Sequence, residues 1–81
     1  MDYSVLRSLT VRRIETALRA DGFDLARQKG SHRHYLHPDG RLVTVAFHRS
    51  SDTIALPILK SIIERQARWD EEDLRRLGLI R

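Results

Sequence analysis

Apolar residues recur along the chain with two different periods, and the change of period divides it into parts. Val11, Ile14, Ala17 and Leu18 fall at the spacing of one helical face. Thr10 can cap the first turn and Asp21-Gly22 can close the last, so the pattern predicts a helix over 11–20. From Phe23 the period drops to two. Phe23 and Leu25 share one side of a strand over 23–28, a turn follows at Lys29-Gly30-Ser31, and 32–37 reads as a second strand. Pro38-Asp39-Gly40 supplies proline and glycine where a hairpin turn needs them. The third strand, 41–47, is the clearest, with Val43, Val45 and Phe47 on one side. Beyond a polar loop over 49–53, Pro57 suits a first helical position, and Ile58, Leu59, Ile62 and Ile63 carry an apolar face through about three turns. Asp70 then caps a short helix whose positive end is complemented by Glu71, Glu72 and Asp73, with Leu74 and Leu77 inward.

This order predicts an α+β fold of α-β-β-β-α layout, with a three-stranded antiparallel sheet and a short C-terminal helix. Both main helices are expected on one face of the sheet, leaving the other open to solvent. The 81 residues are expected to form one domain, 1–81, too short for a complete dinucleotide-binding fold. With no cysteine, neither a disulfide nor a Cys-ligated zinc holds the fold together. Apolar runs fall far below the roughly 20 residues that cross a bilayer, and Met1-Asp2-Tyr3 lacks the start of a signal peptide. A cytoplasmic location with no membrane partner is expected.

Charge adds a location to this outline. The formal net charge is +4, from 15 Lys+Arg against 11 Asp+Glu. The two ends of the chain balance, so the surplus falls between Leu25 and Ser51, where Arg27, Lys29, Arg33, Arg41 and Arg49 face only Asp39. All four histidines, His32, His34, His37 and His48, lie there too. A concentrated positive surface attracts phosphate chains. The bland alternative is a solvated basic face with no partner.

The densest polar constellation is Lys29-Gly30-Ser31-His32-Arg33-His34-Tyr35. Glycine lets a backbone approach a ligand, and exposed N–H groups with the Ser31 hydroxyl can hold a phosphate oxygen. Histidine as a residue type titrates near neutrality, so His32 could take a proton from an RNA 2′-hydroxyl or give one to the departing 5′ oxygen. A histidine beside a turn is more often simply solvated or hydrogen-bonded. His32 and His34 share one face of a strand and could share a metal ion, yet Asp39 is the only carboxylate nearby, so no metal site and no cofactor are expected. Tyr35 falls on the opposite face from His32, which favours the core; Trp69 and Phe47 read as core or junction residues.

Asp21-Gly22-Phe23, Arg27-Gln28-Lys29-Gly30-Ser31-His32, Tyr35, His37-Pro38-Asp39-Gly40 and Val43-Thr44-Val45 with His48 together resemble the HicA family of toxins, small bacterial messenger-RNA interferases with a Gly-Ser-His signature followed by an aromatic residue. The resemblance spans about residues 10 to 66. It implies a double-stranded-RNA-binding-domain-like fold, His32 as the catalytic histidine of a metal-independent RNA cleavage, and a HicB antitoxin that covers the active surface. The chain departs from the usual pattern at Val45-Ala46-Phe47-His48, which lacks a proline before the histidine, and at His34, where an apolar residue often stands.

The expected function is therefore that of an endoribonuclease toxin of a type II toxin–antitoxin system. It would act as a free monomer and be neutralised in a hetero-oligomer with a HicB-like antitoxin. His32 is the expected catalytic residue, supported by Ser31, the Gly30 backbone and His48, which is expected beside His32 in the sheet pairing as a second proton-transfer group. Lys29, Arg33, Arg41 and Arg49 are expected to grip the RNA. Two rivals differ in class: a non-catalytic RNA-binding module on the same surface, and a domain that merely docks a protein partner through its helical face. Turnover separates the first from the enzyme, and salt-dependent RNA affinity separates the second from both.

Overall fold

The structure is a computed structural model that describes residues 2–81. After a short 3-10 turn at Tyr3–Leu6, whose Leu6 is buried, helix α1 spans Val11–Ala20. The Thr10 side chain accepts the Arg13 N–H at its start, a cap of the kind worth about 1 kcal/mol. At the other end Gly22 takes a φ of +104°, the Gly22 N–H donates to the Arg19 carbonyl and the Phe23 N–H to that of Leu18. These crossed bonds satisfy carbonyls that the helix leaves open.

Strands β1 (Asp24–Lys29), β2 (His32–Leu36) and β3 (Leu42–Ala46) form an antiparallel sheet in the order β1-β2-β3. Alternation sends Tyr35, Val43 and Val45 into the core, where Val11, Ile14, Leu18, Phe23, Leu59, Ile62, Ile63 and Trp69 are also buried. The sequence pattern puts Leu25 on the same side of the strand as Phe23, which is buried. Instead β1 is exposed along its whole length and Leu25 is 42% exposed. The pairing register shifts between Leu25 and Arg27, which breaks the alternation on this edge strand.

The expected three-turn helix after Pro57 divides in two. Helix α2 covers Leu56–Lys60, and Ser61–Gln66 continues it as a wider π-helical turn. That turn brings Gln66 against β3, where its Oε1 accepts the Thr44 N–H at 2.8 Å and covers part of the outer sheet edge. Arg68 ends the segment with a φ of +55°, the single non-glycine residue in the left-handed region among those described. Helix α3 spans Glu71–Arg76 behind a reciprocal capping box: the Asp70 side chain accepts the Asp73 N–H, and that of Asp73 accepts the Asp70 N–H. Among the described residues, no helix is long and apolar enough to cross a membrane.

Candidate RNA-facing site

The link between β1 and β2 is a two-residue turn, Gly30-Ser31, closed by the pair Lys29 and His32. Gly30 has a φ of +58°, as the first central residue of a primed hairpin turn requires. A Cβ there would meet nothing within 4 Å, so backbone conformation, not space, calls for glycine.

Register then sorts the side chains of the face away from the core into rows. Lys29, His32 and Ala46 are cross-strand partners in the first; Arg27, His34 and Thr44 form the second; Asp24, Leu36 and Leu42 form the third. His32 is exposed and stands beside the small Ala46. His34 is half-buried, its Nδ1 lying 3.0 Å from the Thr44 hydroxyl. The face therefore presents two imidazoles, bordered on β1 by Lys29 and Arg27.

His48 was expected next to His32 across the sheet, but Ala46 holds that place and His48 lies beyond the end of β3. The Phe47 N–H donates to the Ser31 carbonyl at 3.0 Å, which brings the turn beside the segment that carries His48. Ser31, Ala46, Phe47 and His48 line a cleft of about 280 Å³ together with Asp52, Thr53 and Ile54. His32 is not among its lining residues. The loop that carries Asp52 is fastened to α1: the Val11 N–H donates to the Asp52 carbonyl and the Arg12 N–H to that of Ser50, both at 2.9 Å. Arg49 is exposed within this loop.

Arg33 and Arg41 do not lie free on the open face. Arg33 alternates to the core side, where its Nη1 donates to both carboxylate oxygens of Glu15 at 2.9 Å and its guanidinium stacks 3.9 Å from the Phe47 ring centre. The Tyr35 hydroxyl donates to the same carboxylate. Burial, reinforced by Glu15, pushes the Tyr35 phenol up to about 12, and the hydrogen bond to Glu15 raises Arg33 further.

Arg41 is held between Asp21, Asp39 and the Ala67 carbonyl. Asp21 also accepts from Trp69 Nε1 and Arg76, joining the end of α1 to the β2–β3 hairpin and to α3. Burial would raise the Asp21 carboxyl, but the hydrogen bonds from Trp69 and Arg76 and the charge of Arg41 outweigh it and hold the group below 3.8. Backbone and side-chain hydrogen bonds from Arg41 lower Asp39 in the same way.

His37 is likewise absorbed into the scaffold. Its Nε2 lies 2.8 Å from the Asp21 carbonyl, and its Nδ1 accepts the Asp39 N–H at 3.1 Å when the ring is neutral. Among the described residues, no three side chains of metal-ligand type converge. Glu15 is not among the residues the sequence singles out, although it follows Val11 and Ile14 on the apolar stripe of α1 and Arg33 shares strand parity with Tyr35. Both signals were present in the chain.

The layout defines a class first: an α-β-β-β-α domain of double-stranded-RNA-binding-domain-like layout with a histidine-bearing open sheet face. The family model described as the HicA toxin of bacterial toxin–antitoxin systems matches residues 11–69, from the start of α1 to Trp69, and the chain belongs to that family. None of the curated proteins matches it.

Proposed function

We propose that this toxin is a metal-independent endoribonuclease that cuts messenger RNA in the cytoplasm, with His32 as its catalytic residue. The observation that carries the reading is the exposure of His32 on the open face, in one row with Lys29 and directly after the Gly30-Ser31 turn. An imidazole so placed can accept or donate a proton at an RNA backbone. Lys29 and Arg49, with Arg27 from the next row, offer charge to the phosphates. Arg33 and Arg41 support the sheet from their carboxylate partners. Ser31 and His48 line the neighbouring cleft, and in this reading they hold the phosphate or the adjoining nucleotide together with the Gly30 N–H of the turn. The free toxin acts as a monomer, and a HicB-like antitoxin neutralises it by covering this face.

Expression of the free toxin tests the reading. Wild type is expected to arrest growth and shorten transcripts, while folded His32→Ala does neither and still binds RNA. A non-catalytic RNA-binding module would bind equally well and leave transcripts whole in both forms.

A further inference from the structure

Phosphodiester cleavage through the 2′-hydroxyl moves two protons, one off the attacking oxygen and one onto the leaving oxygen, and a single imidazole serves both poorly. Resting on the ribonuclease reading above, we propose that His34 is the second proton-transfer group, paired with His32 across one scissile phosphodiester.

The placement comes from the strand itself. Residues two apart on a strand project from the same face about 6.6 Å apart. Two imidazoles at that separation, each reaching about 2.6–3.2 Å to its own oxygen, straddle one phosphodiester instead of competing for one atom. Thr44 fixes the ring: with Nδ1 engaged by its hydroxyl, Nε2 remains to exchange the proton. The charged residues on this face are Lys29 and Arg27, in the rows of His32 and His34, and Asp24 one row beyond, all on β1, whereas β3 contributes neutral Ala46, Thr44 and Leu42. These cations can neutralise charge that builds on the phosphate. The other histidines serve less well. His37 has both nitrogens engaged within the hairpin, and His48 faces a cleft whose lining excludes His32.

The step balances without a further reactant. One imidazole, neutral, takes the 2′-hydroxyl proton as the 2′ oxygen forms a bond to phosphorus. The bond from phosphorus to the 5′ oxygen breaks, and that oxygen receives the proton of the other imidazole, which entered as imidazolium. The products are a 2′,3′-cyclic phosphate and a 5′-hydroxyl, and the pair regains its starting protonation by exchange with water.

The test is the pH profile of kcat/KM on a defined oligoribonucleotide. Wild type is expected to give a bell. His34→Ala is expected to lose about 100-fold or more in kcat with little change in KM, to lose one limb of the bell, and to recover in part with added imidazole. His34→Gln, with thermal unfolding of both variants as the fold control, guards against a merely structural loss. Retention of both limbs in a folded variant, or a defect confined to KM, overturns the assignment while the ribonuclease reading stands. Wild-type protein that leaves RNA whole overturns both.

Discussion

Arg33 and His34 are neighbours in sequence on opposite faces of β2, and they meet different surroundings. Arg33 turns toward α1, where Glu15 takes both of its charge-assisted bonds and Phe47 stacks on it. His34 turns outward beside Thr44, in the row that follows His32. The same division runs through the whole basic segment: Arg41 is spent on Asp21 and Asp39, while Lys29, Arg27 and Arg49 stay exposed. Positive residues counted along a chain thus overstate the charge offered to a partner, because carboxylates distant in sequence claim some of them first.

The strongest way to break this contrast is at its buried side. Glu15→Ala leaves the Arg33 guanidinium without its carboxylate and is expected to cost about 2–3 kcal/mol in urea unfolding. That is below the range for a fully buried pair, because the Arg33 side chain remains 26% exposed. Glu15→Leu with Arg33→Met should recover only part of the loss, since the apolar pair removes the unpaired charge but leaves the buried Tyr35 hydroxyl without its acceptor. If Glu15→Ala unfolds like wild type, the pair is not part of the scaffold.

Next in size is Asp21→Asn, expected to cost about 1–2 kcal/mol at neutral pH through its bonds to Arg41 and Arg76. A carboxyl held below its ordinary value stabilises the fold above that value, and the contribution fades as pH falls through the folded pKa. Wild type should therefore lose more stability below about pH 4 than Asp21→Asn does. Parallel acid-unfolding curves would contradict the network.

Much of this scaffold was legible in the chain. Both ends of α1, the Asp70 cap and the Pro38-Asp39-Gly40 turn followed from local chemistry that acts within a few residues. The π-helical turn was not, because it places Gln66 against a strand edge that local spacing cannot reveal. Nor was the capture of Arg33 and Arg41, whose partners Glu15 and Asp21 lie on or just after α1, in a different part of the sequence. The open face was half legible: strand parity put His32 opposite Tyr35, while the true register set Ala46, not His48, beside His32.

A smaller effect appears in alkali. The Tyr35 phenol, raised to about 12 from 10.0, keeps its proton in the fold where the unfolded chain loses it. Its contribution is thus complete below pH 10 and disappears as pH rises toward 12. Tyr3, held beside Glu64, behaves alike, so the alkaline loss should shrink in Tyr35→Phe and again in Tyr3→Phe with Tyr35→Phe. An unchanged alkaline midpoint would count against both. Smallest is Arg68→Gly, which relieves a left-handed φ and should add up to about 1 kcal/mol, read as a rise in the urea midpoint; a fall would show that the Arg68 side chain contributes more than its backbone costs.

The most direct measurement is end-group analysis of RNA incubated with purified toxin and a metal chelator. The expected result is fragments ending in 2′,3′-cyclic phosphate and 5′-hydroxyl with wild type and none with folded His32→Ala. Intact RNA in both reactions, or equal fragmentation in both, would contradict the assignment of His32.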